Sequence, residues 1–226
     1  MKILSIIPAR GGSKGIPLKN IVKLNKKPLL YYTLKASLNS KFIDRTVVST
    51  DNQKISNYAQ KLCAEVIHRP KKLSGDHASI ESVAIHILEY LSKKENYVPD
   101  AINFLQNTSP LRTSLHIDEA IKLFKKKNYD SILSGYNSHK FFWKKNNSSV
   151  KPINYSPKNR PNRQNFTDQF IENGSIYIIK SKIFKKTKSR LSGKIGLYEM
   201  PESSSIEIDS FDDLELANNL LKKINL

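Results

Sequence analysis

A three-layer α/β/α sandwich around a mostly parallel, Rossmann-like sheet is the fold this sequence predicts, and three observations predict it. Apolar runs of strand length recur along the chain, and segments with helical spacing separate them. The first run, Ile3 to Pro8, feeds at once into a glycine-rich basic segment, as a buried parallel strand does when it delivers a loop to the carboxyl edge of a sheet. At 226 residues the chain has room for one such domain with a modest extension, so a single domain over 1–226 is expected.

The elements follow in order. Beginning near Pro28, the residues Leu29, Leu30, Tyr31, Leu34, Ala36 and Leu38 space as a helix, and Arg45 to Thr50 follows as a second short strand. The alternation continues with a helix over about 52 to 63, a strand over 64 to 68, a loop to 77, a helix to about 94, a strand at Ala101 to Leu105, a helix over 115 to 127 and a strand at Ser131 to Gly135. From 138 to 170 aromatics, Asn, Lys and Pro alternate without a sustained period over a stretch too long for an ordinary connection, which predicts an excursion from the sheet that serves as a dimerisation arm. Strand character returns at Ser175 to Ile179, near Ile195 to Met200 and at Ser205 to Asp209, before a final helix from about 211 to 223.

Thirty-eight Lys and Arg against twenty Asp and Glu give a net charge of +18, which attracts polyanions of any kind. The excess is mostly lysine scattered in pairs such as Lys26-Lys27 and Lys222-Lys223, the pattern of solvated helix faces, so nucleic-acid binding is not the expected main function. No window approaches the roughly 20 apolar residues of a membrane span, and a cytoplasmic protein is expected. Cys63 stands alone, which excludes an intrachain disulfide, and its helical surroundings predict a buried structural thiol. The five histidines lack zinc spacing, and no GxSxG elbow is present, which argues against zinc-enzyme and hydrolase chemistry.

The segment Ile7-Pro8-Ala9-Arg10-Gly11-Gly12-Ser13-Lys14-Gly15-Ile16-Pro17-Leu18-Lys19-Asn20 packs three glycines and three cations after a strand. Glycines let backbone N–H groups turn toward phosphate oxygens, while Arg10, Lys14 and Lys19 can neutralise charge on a leaving pyrophosphate. Neither GxxxxGK[ST] nor GxGxxG is spelled, so the residues alone leave two readings open, a phosphate loop and a solvated turn. Gln106 follows a strand and offers an acceptor and two donors to a polar sugar or base edge, or else caps the next helix. Glu207 and Asp209 are two apart on an expected strand, which would aim both carboxylates to one face where they could share a hard divalent cation. Asp212 and Asp213 fall at a helix start, where acidic residues complement the dipole.

The ARGGSKGIPLKN segment resembles, nearly residue for residue, the opening signature of the acylneuraminate cytidylyltransferases. Val48-Ser49-Thr50-Asp51, Leu105 to Pro110, Arg160 to Gln164, Glu172 to Tyr177 and Ser205 to Asp209 resemble further blocks in the same order, so the likeness spans almost the whole chain. The resemblance implies transfer of CMP from CTP to the anomeric hydroxyl of an acidic nine-carbon sugar, with Mg2+ (or Mn2+) and a homodimer or tetramer. It assigns Ala9, Arg10, Gly11, Lys14, Lys19, Asn20, Arg69 and Ser79 to the nucleotide, and Gln106, Arg160, Arg163, Gln164 and Tyr177 to the sugar. Asp209 and Glu207 would hold the metal, and Arg10, Lys19 and Asp209 would carry the chemistry. Two positions depart from the family pattern: Asn107 stands where Pro or Ala is usual, and Glu207 where Asp is usual. The alternatives are a relative acting on the eight-carbon sugar Kdo, and a basic nucleic-acid-binding module that kept the fold without turnover.

Overall fold

The computed structural model describes residues 1–166 and 168–224. Its strands are β1 (Ile3–Pro8), the short pair β2 (Lys23–Leu24) and β3 (Lys27–Pro28), β4 (Arg45–Thr50), β5 (Glu65–His68), β6 (Ala101–Leu105), β7 (Ser131–Asn137), β8 (Trp143–Asn146), β9 (Ser149–Pro152), β10 (Phe170–Lys180) and β11 (Ile195–Glu199). The helices are α1 (Leu29–Leu38), α2 (Gln53–Lys61), α3 (Ile80–Glu95), α4 (Ser114–Lys126), α5 (Ser181–Thr187) and α6 (Phe211–Ile224).

Seven strands form one sheet in the order β11-β7-β10-β6-β1-β4-β5. All neighbours are parallel except β10, which runs antiparallel to both β6 and β7. Strand alternation divides the core: Ile3 and Ile7 face one side, where Leu30 and Leu34 of α1, Ile55 of α2 and Ile117 and Ile121 of α4 pack. Leu4 and Ile6 face the other, against Val83 and Ile87 of α3 and Phe184 of α5. The result is the expected three layers.

A third, smaller core bears directly on the site. Ile16 from the basic segment, Leu24, Leu29, Leu111, and Ile208, Ala217 and Leu221 from the end of the chain bury one another. Burying Ile16 and Ile208 stabilises each by about 1.5–3 kcal/mol, enough to hold two loops distant in sequence side by side.

Four features differ from the sequence expectation. Residues 205–209 are not a strand: after a 3-10 turn at Glu202–Ser204 the backbone is irregular. Its polar groups are taken by loop contacts instead of a ladder, the Ile208 N–H by Thr108 O at 2.8 Å and the Ile208 carbonyl by Lys19. Strand β10 starts at Phe170, ahead of the apolar run, because an irregularity between Glu172 and Tyr177 lets its polar first half pair with β7. The short helix α5, with only two fully packed side chains, carried no periodic signal. Cys63 is exposed, because α2 ends at Lys61 and the residue turns out of the helix at φ 60°.

The described residues between Asn137 and Phe170 lie outside the sheet, and Phe170, which the sequence placed in the excursion, already pairs with Asn137 as the first residue of β10. The excursion forms the separate hairpin β8–β9, where Phe141 packs on Tyr155 and Phe166, Arg160 stacks over Phe141, and Trp143, Val150 and Ile153 stay exposed.

Candidate active site

From β1 the chain moves to β4 and β5 on one side, then crosses to β6 on the other. The order therefore reverses between β1 and β6, and the crevice at the carboxyl ends of these strands is where open α/β sheets take ligands. A cavity of about 330 Å³ opens there, lined by Pro8 at the end of β1 and Arg10, Gly12, Ser13, Lys19 and Asn20 after it, by Arg69, Asp76, Ala78 and Ser79 after β5, and by Gln106, Asn107 and Thr108 after β6.

The basic loop is fixed from beneath. Ala9 is fully buried and donates its N–H to Ser49 O at 2.9 Å, and Gly11 N–H reaches Asp51 Oδ1 at 2.8 Å. Asn20 donates from Nδ2 to the Arg10 carbonyl at 2.8 Å and accepts from Asn107 Nδ2 at 2.9 Å. Asn107 also donates to Pro8 O, so the residue that departs from the family pattern ties together both ends of the loop. Arg10 and Lys14 both pair with Asp76 at 2.9 Å. The hydrogen bond from Lys14, followed by the charges of Lys14 and Arg10, holds Asp76 below the usual carboxylate range.

The carboxyl-terminal loop meets this basic loop directly. Lys19 Nζ lies 2.7 Å from Asp209 Oδ1 and 2.9 Å from Ile208 O. A methyl group on Gly15 would fall 2.3 Å from the Asp209 carbonyl oxygen, so the approach requires glycine. Asp213, at the start of α6 where an acidic residue was expected to complement the helix dipole, accepts the N–H groups of Asp209 and Ser210 and the Ser210 hydroxyl, and so fixes the backbone that carries Asp209. Glu207 lies against Gly174, which adopts φ +62° and has no side chain in the way. Burial of the carboxyl raises its pKa, and the charges of Asp209 and Glu172 add to the rise.

Glu207 and Asp209 thus share one negative field, although a loop and not a strand brings them together. Among the described residues no group of three or more His, Cys, Asp or Glu is arranged to hold a metal ion. Neither carboxylate lines the cavity, but Asp209 pairs with Lys19, which does, and two carboxylates are a donor set that suits a hard cation completed by phosphate oxygens and water, in place of an all-protein cage.

Of the other sequence-predicted residues, Arg69 is buried and donates to Ser49 O at 2.9 Å; burial, with Arg10 nearby, lowers its guanidinium to about 10, while Asp51 opposes the shift. Ser79 caps α3 by accepting from Ser82 N–H at 3.1 Å. Gln106 lines the cavity, and the cap of α4 belongs to Thr113 and His116. Tyr177 is buried in the core, with its hydroxyl donating to Glu172 and Arg190 stacked 4.6 Å above its ring. Arg160, Arg163 and Gln164 are not brought to this cavity: all three are exposed, and Arg160 and Arg163 border a separate cleft with His139 and Phe141.

Sequence reasoning missed Asp76, Glu172 and Arg112. Asp76 sits in an unpatterned loop, and Glu172 lay inside a block read for its neighbours. Arg112 is 2% exposed and donates to the Gln106 and Ser175 carbonyls and to Thr33 Oγ1. Burial without an acidic partner lowers it to about 9, so it remains a cation at neutral pH and fastens the loop carrying Gln106 to β10.

A family model described as cytidylyltransferase matches residues 4–223. The chain is 36% identical over 211 residues to N-acylneuraminate cytidylyltransferase A of Danio rerio, covering 92% of this chain and 48% of that protein. It is 31% identical over 231 residues to the pseudaminic acid cytidylyltransferase of Campylobacter jejuni, covering 100% of this chain and 98% of that one. It spans about half the length of the N-acylneuraminate cytidylyltransferases it matches. A solved structure of CMP:2-keto-3-deoxy-manno-octonic acid synthetase complexed with CTP superposes with a TM-score of 0.72 at 16% identity, over 99% of this chain and 100% of that one, which shows the shared fold.

Proposed function

This chain belongs to the cytidylyltransferase family, and from that premise we propose that it transfers the CMP moiety of CTP to the anomeric hydroxyl of an acidic nine-carbon sugar, releasing pyrophosphate. The observation that carries the proposal is the junction of Lys19 with Asp209 at 2.7 Å, which ties the acidic loop before α6 to a cation that lines the cavity after β1. Relatives named for two different nonulosonates, N-acylneuraminate and pseudaminate, support the substrate class.

In this reading Arg10, Lys14 and Lys19 hold the triphosphate and spread the charge that grows on the departing pyrophosphate, while Ala9, Gly11 and Asn20 keep the loop in shape. Arg69 and Ser79 close the nucleotide side, and Gln106 presents its amide to the base or sugar. Asp209 and Glu207 hold Mg2+ (or Mn2+), which when bound supplies Lewis-acid polarisation of the reacting phosphate. The anomeric oxygen attacks the α-phosphorus in line, forming the O–P bond as the bond to the β-phosphate oxygen breaks, and in this reading Asp209 takes the hydroxyl proton. Arg160, Arg163 and Gln164 act on the sugar from the excursion of a second subunit in a homodimer or tetramer, whereas Tyr177, buried in the core under Arg190 with its hydroxyl on Glu172, supports the strand from behind and does not reach the sugar as the resemblance implied. The exposed Trp143, Val150 and Ile153 of that excursion support such an assembly. Among the described residues no helix is long and apolar enough to cross a membrane. In this reading the protein works in the cytoplasm, where CTP is available.

Pyrophosphate release measured with CTP, Mg2+ and a panel of N-acetylneuraminate, legionaminate, pseudaminate and Kdo tests the proposal. Turnover with a nonulosonate is expected. Turnover with Kdo alone would move the protein to the eight-carbon branch, and salt-sensitive RNA or DNA binding without turnover would refute the enzyme reading.

A further inference from the structure

Between β5 and α3, residues 69 to 79 supply Arg69, Asp76, Ala78 and Ser79 to the lining of the cavity. Midway along this segment the carboxylate of Asp76 is divided between two cations of the basic loop. Its Oδ1 takes Arg10 Nη1 at 2.9 Å and its Oδ2 takes Lys14 Nζ at 2.9 Å. Two anionic oxygens on one atom, spanning two cations, present the charge pattern of a phosphoryl group. Asp76 also lines the cavity itself, beside Arg10 and Lys19.

The contact is built to be exchanged. The Asp76 side chain is 46% exposed and that of Lys14 is 79% exposed, so neither ion pair carries a large desolvation gain. A triphosphate carries more charge than one carboxylate and wins the cations, although it must first take them from Asp76.

We infer that Asp76 is an internal anionic competitor for the phosphates, a residue that sets nucleotide and pyrophosphate affinity by yielding Arg10 and Lys14 as the nucleotide enters and reclaiming them as pyrophosphate leaves. The inference rests on the transferase reading of the same cavity. Neutralising the competitor strengthens binding of every phosphate ligand by about two- to thirtyfold, the span covered by losing two exposed ion pairs. It therefore lowers KM for CTP and tightens product inhibition, whereas a loss of simple structural support would raise KM.

The test measures binding of inorganic pyrophosphate by calorimetry at low ionic strength, and KM for CTP and inhibition by pyrophosphate in turnover, for the natural chain, Asp76→Asn, Asp76→Ser and Asp76→Glu. The expected result is tighter pyrophosphate binding and stronger inhibition in the Asn and Ser variants, with the Glu variant returning toward the natural values. Unchanged or weaker pyrophosphate binding in a folded Asn or Ser variant overturns the inference. The two readings separate cleanly. Pyrophosphate binding without CTP turnover in the natural chain would end the transferase proposal while leaving the competition measurable, and a natural chain that binds no pyrophosphate would overturn both.

Discussion

Replacing Gly15 by alanine should disable the site without removing any group that touches substrate. The added Cβ would fall 2.3 Å from the Asp209 carbonyl oxygen, and ordinary contact begins at 3.4 Å, so one of the two loops must retreat by about 1 Å. The neighbour is backbone, held by Asp213 on the Asp209 N–H and by Thr108 on the Ile208 N–H, and it has no flexible end that could swing aside. Overpacking of this kind costs about 1–3 kcal/mol of stability, which a domain with three packed cores survives. Activity is the more sensitive reading, because displacing a reacting group by about 1 Å costs on the order of a hundredfold in rate. The variant is therefore expected to unfold cooperatively at slightly lower denaturant and to lose about a hundredfold in kcat/KM for pyrophosphate release from CTP. A folded Gly15→Ala chain within about threefold of natural kcat/KM would refute the claim that the two loops act as one site.

Four other outcomes are expected. Arg10→Ala or Asp209→Ala should each lower kcat/KM by at least about a hundredfold, read by the same assay on folded protein. Glu207→Gln should stabilise the chain at pH 7 to 8, because a carboxyl whose folded pKa is raised binds its proton more tightly when folded, so stability falls as pH climbs from the ordinary glutamate value through the raised one. Chemical denaturation across pH should show that advantage shrinking toward about pH 4. Arg112→Leu should cost about 2–4 kcal/mol, since it strands the Gln106 and Ser175 carbonyls and the Thr33 hydroxyl, and a denaturation midpoint close to natural would contradict this. Dilution below the dimer dissociation constant should reduce specific activity, and concentration-independent activity from a proven monomer would refute a site shared between subunits.

The central sheet was legible because strands β1, β4 and β6 are apolar runs bounded by helical spacing, and a local pattern is all such elements require. The irregular loop at 205–209 was misread for the same reason. Ser205-Ile206-Glu207-Ile208-Asp209 alternates like a strand, yet what positions it is Ile208 buried against Ile16 and the Lys19 ammonium on its carbonyl, partners far away in sequence. The basic loop announced itself through composition. Asp76 could not, because a single aspartate in a loop gains meaning only when Arg10 and Lys14 arrive beside it. The antiparallel direction of β10 was hidden too, since strand residues look alike in either direction. That direction brings Glu172 to Gly174 up to the carboxyl edge of β6, next to Glu207 and Gln106.

A double-mutant cycle on Arg10 and Asp209, read as kcat for CMP transfer in single turnover, tests the convergence of the two loops most directly. Groups that act together on one transition state are strongly non-additive, so the double alanine variant should be about as slow as the slower single variant. Losses that simply multiply would mean that the two residues act independently, and the account of a shared site would fail.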